Sequence, residues 1–348
     1  MEKINLLIIE DEESQIQVYL DVISQYNKKN ELKIEFRICK NYEDGKQALL
    51  SPNFDAAIID LKLSNSDELE GRKLVESVYQ KIRIPIIIYS GSIAQIDDIK
   101  ENALLKKKLR TEQLSSILVE IIAIYNTGIT TLLRPLGIVD QNLTKIFWNH
   151  LSNDLDIWIK HKNPKNLLRY IFSHFQELLD INLDGDFEEY HPFEVYIKPP
   201  IKKNLHTGDL VKFKNDLYVV LTPSCDIVVQ SDGSRNADNI IIVKAKNFEY
   251  KTICLNKRKE LDKNKIEKYV KNFSARYHYL PPFENNNGLI VDFQDLTSIP
   301  FSTEIERVAS ISSPFIKDII SRFSNYISRQ GQPTFNQDLI VSELFNKK

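Results

Sequence analysis

Three stretches in the N-terminal third of the chain share one pattern, an apolar run that ends in a chemically capable polar residue. LLIIED (6–11) runs four apolar positions into Glu10 and Asp11, AAIID (56–60) ends on Asp60, and PIIIYSGS (85–92) delivers Ser90. Continuous apolar runs of this length are the mark of parallel strands buried on both faces. They predict an α/β layout whose reactive groups gather along the carboxyl edge of one sheet, where open α/β sheets bind their ligands.

The pattern changes after a helix at about 111–126. NTGITTLLRPLG (126–137) carries two glycines and a proline and marks a boundary. Asp140 reads as the N-cap of a helix to about His161, with Leu143, Ile146, Phe147, His150, Leu151, Leu155 and Trp158 on one face. A second helix over 165–180 completes a helical hairpin, with His150 and Trp158 read as core residues. DINLDGDFEEYH (180–191) has the opening spacing of a calcium loop at Asp180, Asn182, Asp184 and Gly185. Its twelfth position is His191 and Pro192 follows, so it reads as an acidic turn.

From about 193 the period becomes that of strands. VYIK (195–198), GDLVKF (208–213), LYVVLT (217–222), NIIIVKA (239–245) and GLIVDF (288–293) alternate or run apolar, with Lys214, Asn215 and Asp216 as a hairpin turn. Ser313 and Pro314 then open a helix to about Ser328. The fold expectation is an α/β domain at 1–126, a helical connector at 127–185, and a β-rich α+β module at 186–348, built as an SH3-like barrel or a small twisted sheet.

Composition narrows the function. The 348 residues exceed what one such domain needs, and 42% hydrophobic content suffices for proper cores. A formal net charge of −2 argues against a globally basic nucleic-acid binder. Cys39, Cys225 and Cys254 have neither metal spacing nor an even disulfide framework, which points to a reducing cytoplasm. No signal-like leader or membrane-length apolar run is seen, so no membrane is expected.

Glu10, Asp11 and Asp60 brought to one edge cannot all stay ionised without a cation. Mg²⁺ is the expected one, since it takes oxygen ligands and keeps several waters. Asp11 and Asp60 would ligate it directly and Glu10 through water. Asp60 would attack a phosphoryl group held by the metal, a lysine and Ser90, giving an acyl phosphate.

This constellation resembles the receiver domain of two-component response regulators over residues 1 to about 122. The resemblance implies a flavodoxin-like, doubly wound fold with Glu10 and Asp11 as the acidic pair, Asp60 as phosphoacceptor and Ser90 as the switch hydroxyl. It makes Lys107 the phosphate-binding lysine, with Lys106 and Lys108 as rivals, and the backbone carbonyl of Lys62 a further metal ligand. Lys108 stands where the family has proline, and Leu104 stands at its aromatic position. The implied partner is a histidine kinase, with homodimerisation through the receiver as a further option. No enzymatic activity is implied beyond phosphorylation and autodephosphorylation of the receiver itself.

In the C-terminal half, LTPSCDI (221–227) could supply a cysteine nucleophile if His206 or His278 stood close, although a small thiol beside a turn aspartate is the simpler reading. TPSCD, YHYLPP, VDFQDL and RFSNYISRQGQP are faintly similar to an uncharacterised module of bacterial conflict and phage-defence proteins, which implies no activity. The basic, aromatic-bearing segment 257–279 suits either nucleic acid or a solvated lysine face. Two functions stay open: a response regulator acting through a protein effector or as a phosphate sink in antiphage signalling, and a receiver-controlled effector that binds nucleic acid or carries an unrecognised activity.

Overall fold

The structure is a computed structural model that describes residues 3–63, 70–79, 81–93, 96–179, 189–329 and 334–346. The chain forms two compact units, Met1–Phe187 and Glu188–Lys348.

The first unit opens β1 (Lys3–Ile9), α1 (Glu13–Lys29), β2 (Lys33–Cys39), α2 (Tyr42–Leu49), β3 (Ala56–Ile59), α3 (Glu70–Val78), β4 (Ile86–Ser90), β5 (Leu105–Leu109) and α4 (Leu114–Tyr125). The five strands are parallel in the order β2-β1-β3-β4-β5, which is the flavodoxin-like doubly wound sheet. Strand alternation explains the all-apolar runs. Leu7 and Ile9 of β1 enter a core with Leu49, Leu74 and Val75, while Leu6 and Ile8 enter another with Tyr19, Ile23 and Ile117. The inner strands β1, β3 and β4 must therefore be apolar on both faces. Every such side chain taken fully from water contributes about 1.5–3 kcal/mol.

After α4, Gly128 adopts φ +77° and accepts the turn that a Cβ would strain. The chain continues through α5 (Ile129–Leu133), α6 (Ile138–Ile146), a π turn (Phe147–Leu151), α7 (Leu155–His161) and α8 (Pro164–Leu179). Arg134, just past α5, ties this extension to the sheet. Its Nη1 lies 3.0 Å from Oδ1 of the buried Asp55, whose Oδ2 accepts from the Asn5 N–H.

The hairpin departs from expectation in detail. Asp140 lies inside the first turn of α6 and accepts from the Leu136 N–H at 2.8 Å, while Gly137 occupies the N-cap. The long first arm is broken by the π turn and by residues 152–154. His150 is exposed and Trp158 only half-buried, so neither is a core residue; of the expected stripe Ile146 alone is fully buried. The acidic segment with calcium-loop spacing falls largely outside the described residues.

The second unit opens with a 3-10 turn at Pro192–Val195. It contains β6 (Tyr196–Ile197), β7 (Asp209–Phe213), β8 (Asp216–Val220), α9 (Ser224–Ile227), β9 (Asn239–Asn247), α10 (Tyr250–Ile253), α11 (Lys263–Val270), β10 (Tyr277–Leu280), β11 (Leu289–Pro300), β12 (Glu306–Ile311), α12 (Ser313–Ser328) and α13 (Gln337–Phe345). The strands form one antiparallel sheet, β10-β11-β9-β8-β7-β12-β6. The sheet alternative is thus the observed one, and the order leaves β10 and β6 as edges.

Lys214 and Asn215, at φ +48° and +67°, close the two-residue β7–β8 hairpin with the backbone twist such turns require. One face of the sheet packs under α12 through Phe293, Ile319 and Phe323; the other buries Val211, Val220 and Ile242. β12 and α13 were not foreseen, whereas α11 is the helical reading of the basic segment. ERVASI (306–311) begins with charged residues, and its strand character comes from pairing with β7 and β6.

Candidate phosphoacceptor site

Register assembles the site at the carboxyl edge of the first sheet. Ile9 pairs with Ile59, so Glu10 and Asp60 stand side by side one residue past β1 and β3, where strand order reverses. The Asp60 N–H donates to Ile9 O at 2.9 Å and the Glu10 N–H to Cys39 O at 3.0 Å. Ser90 ends β4. Glu10, Asp60 and Ser90 are all buried. One ligand atom from each of Glu10, Asp11 and Asp60 can be chosen so that all lie within 4.8 Å of one another, the only such group of three or more metal-binding side chains among the described residues.

The cation in this site is Arg110. Its Nη2 lies 2.7 Å from Glu10 Oε2 and 2.9 Å from Asp60 Oδ2, and its Nη1 lies 2.6 Å from Glu12 Oε2. The Arg110 N–H also donates to Ser90 O at 3.0 Å, which fixes the residue beside the hydroxyl. Asp60 Oδ1 is buried and makes no hydrogen bond among the described residues.

The electrostatics follow from this crowding. Burial, then the Asp60 charge, pushes the Glu10 carboxyl up to about 7 against the pull of Arg110. Burial also raises Asp60, opposed by the Ser90 hydroxyl, Arg110 and the backbone N–H groups of Lys62 and Leu61. Arg110 is held above its ordinary value because Asp60 and Glu10 outweigh the cost of its burial. Glu12 is lowered by Ser14 and Arg110. The site thus holds more negative charge than one guanidinium offsets, with an oxygen left over. That donor set fits a hard divalent cation.

The three expected lysines lie elsewhere. β5 runs to Leu109, and Lys107 pairs with Ile88 in mid-strand, two positions short of the Ser90–Leu109 pair. Alternation sends Lys106 and Lys108 to Glu120 of α4, at 2.7 and 3.0 Å. Lys107 Nζ donates to Asp97 O at 3.5 Å. None of the three meets Asp60 in an ion pair among the described residues. The sequence did contain the signal. Glu10, Asp60 and Ser90 each stand at or just past the end of an apolar strand, and the same rule applied to LKKKLR gives Arg110. If Arg110 takes the lysine's role, the position three residues before it is Lys107 instead of Leu104. Much of the loop after Asp60 lies outside the described residues, and Lys62 itself is exposed there.

The C-terminal unit gathers no comparable excess of charge. Cys225 is exposed, and its thiol contacts its neighbour Asp226 at 3.7 Å, with no histidine in hydrogen-bond range among the described residues. His278 is buried, and burial followed by the Arg322 charge lowers it to about 4; Asp318 at 3.7 Å is too far to hydrogen-bond and reverse this. In the basic segment, Tyr269 and Tyr277 pack around Phe248, and Arg276 forks onto Asp292 at 2.7 and 2.6 Å. Its aromatics are largely committed to a core, although Phe273 is exposed.

No known family matches the chain, and no curated protein does. Among solved structures, its N-terminal part is similar to the BeF3-activated receiver domain of Klebsiella pneumoniae RstA. Identity is 12%, over 34% of this chain and 96% of that one, at a TM-score of 0.28. A CheY-like receiver domain from Methanospirillum hungatei matches at 20% identity over 36% and 96%, TM-score 0.29. The Mn²⁺-bound response regulator Rcp1 matches at 19% over 38% and 99%, TM-score 0.27. No single helix among the described residues is long and apolar enough to cross a membrane.

Proposed function

We propose that the first unit is a phosphoacceptor that receives a phosphoryl group from the phosphohistidine of a kinase. The observation that carries this reading is the guanidinium shared by Glu10 and Asp60 while Asp60 Oδ1 stays unbonded among the described residues. That oxygen is free to attack phosphorus as the P–N bond breaks and the electron pair returns to the imidazole. A planar guanidinium offers paired N–H donors to phosphoryl oxygens, so Arg110 exchanges carboxylate partners for phosphoryl oxygens. The Ser90 hydroxyl donates to a third. Mg²⁺ held by Asp11, Asp60 and the Lys62 carbonyl, with Glu10 reached through water, would neutralise charge on the incoming group.

The response-regulator reading takes the C-terminal unit as a protein-binding output or as the companion of a phosphate sink. A sink role in a kinase-based antiphage system is the form suggested by its phage-defence-like phrases, and it requires Asp60 chemistry without a DNA-binding output. The packing of Tyr269 and Tyr277 against Phe248 and the ion pair of Arg276 with Asp292 support this over a nucleic-acid effector. Intact-mass measurement after incubation with acetyl phosphate and Mg²⁺ tests the chemistry. A Mg²⁺-dependent phosphoryl adduct absent from Asp60→Asn is expected. No adduct on the wild type, or one that survives Asp60→Asn, overturns the proposal. For the sink role, Asp60→Asn expressed with the neighbouring genes should alter signalling or viability, and no change would count against it.

A further inference from the structure

A cavity of about 760 Å³ opens within the second unit, between α12 and the segment that leads into β7. That volume is in the range of small-molecule sites. Its wall is apolar through Ile197, Ile201, Ile311, Ile316 and Ile320. Both sides are held in place. Arg307 Nη1 donates to the carbonyls of Lys202 and Lys203 at 2.8 and 3.0 Å, and its Nε pairs with Asp209, whose Oδ2 also accepts from the His206 N–H. One buried ion pair thus pins segment 202–206 at both ends. Gly208, at φ +86°, comes so near α12 that a Cβ would stand 2.6 Å from Ile316. α12 itself is fixed from behind, where Phe315, Ile319 and Phe323 pack on the sheet. The cavity is therefore pre-formed, and a ligand need not order its walls.

Charge narrows what it takes. Lys202 and Lys317 line the cavity, and neither makes an ion pair among the described residues. The one carboxylate in that lining is Asp209, which is bonded on both oxygens. Asp318, next to Lys317, stands 3.7 Å from His278 on the other side of the helix. The first turn of α12 has no acidic residue, so its unpaired N–H groups add partial positive charge. Ser313, Lys317, Ile320 and Ser324 follow one another at helical spacing along the face that lines the cavity. Apolar wall, hydroxyls and unpaired ammonium groups meet there without an opposing free carboxylate.

We propose that this cavity binds a small organic anion with an apolar body, its carboxylate or phosphate head held by Lys202 and Lys317 and its hydrocarbon part on the isoleucine wall. A neutral molecule would leave both ammonium groups unpaired, and a cation would meet charges of its own sign, so the lining selects by charge as well as by shape. The inference does not depend on Asp60 chemistry, and it makes the second unit a ligand-binding module.

Calorimetric titration of the full chain with decanoate, below its micelle concentration, and with 2-naphthoate tests it. At least one of the two should bind. Decan-1-ol, 2-naphthol and inorganic phosphate should each bind at least tenfold more weakly, the scale of one charge-assisted hydrogen bond. Lys202→Ala/Lys317→Ala should weaken the anion at least tenfold, and Lys202→Arg/Lys317→Arg should retain it. Lys257→Ala/Lys268→Ala, outside the cavity, should change nothing. Ser321→Trp fills the cavity from an exposed position and should abolish binding with the denaturant midpoint unchanged. Absence of binding by both anions overturns the proposal. So does binding that survives both the alanine pair and Ser321→Trp, because the probe then sits on apolar surface elsewhere. An alcohol that binds as tightly as its carboxylate removes the selection by charge, and phosphate that binds as tightly removes the apolar body; either result overturns the ligand class.

Discussion

Each unit buries a carboxylate beside an arginine, and the two sites are built to opposite ends. Asp209 in the second unit accepts from Ser310 Oγ at 2.6 Å on one oxygen, and from Arg307 Nε at 2.7 Å and the His206 N–H at 2.8 Å on the other. Asp60 in the first unit shares its arginine with Glu10 and leaves one oxygen unbonded among the described residues. A carboxylate matched by donors holds structure. One that leaves an oxygen unbonded, among neighbours of its own sign, is stabilised further when something reaches that oxygen. Burial by itself does not distinguish the two roles; whether both carboxylate oxygens are bonded does.

The sharpest way to break this comparison is at the arginines. Arg110→Ala should slow Asp60 phosphorylation by acetyl phosphate by roughly 10²–10³-fold, the usual cost of losing one donor to developing charge. Lys107→Ala should leave it unchanged. Quantifying the adduct over time checks both, and a reversed result would return the role to the lysine. Arg307→Ala should instead cost about 3–5 kcal/mol of stability in the second unit by stranding Asp209, as read by denaturant unfolding.

A pH series separates the units next. His278 is lowered from about 6.5 to about 4, so the unfolded chain binds its proton at higher pH than the folded one does. The stability this represents is complete above about pH 6.5 and is lost as pH falls toward 4, amounting to about 3 kcal/mol. Comparing wild type with His278→Phe in denaturant at pH 7 and pH 4.5 should show the loss in the wild type alone.

The smallest effect is the most diagnostic. Burial raises Asp60, so its charge at pH 7 opposes folding, and Asp60→Asn should slightly stabilise the first unit. Asp209→Asn should destabilise the second. A thermal melt in which both substitutions destabilise would show that Asp60 is as well matched as Asp209.

Much of the first unit was legible because its inner strands β1, β3 and β4 are apolar on both faces, and such runs announce both their extent and the polar residue that ends them. Glu10, Asp60 and Ser90 were found in this way. Arg110 was missed because LKKKL is amphipathic: its lysines looked reactive in one dimension, while pairing with Ile88 and Glu120 set them against the body of the sheet. His150 was misread for the converse reason, since helical spacing places a residue on a stripe without saying whether another layer covers it. β12 gave too weak a pattern to be seen, because its strand character is supplied by its neighbours.

Sequence alone determined the buried parallel strands of the first half, the edge at which their chemistry gathers and the strand character of the second half, since period and run length follow from which faces are buried. Tertiary structure decided which cation reaches Asp60, which carboxylates are matched and which helical faces remain uncovered. Those depend on strand register and on partners distant in the chain, which hydrophobic pattern does not encode.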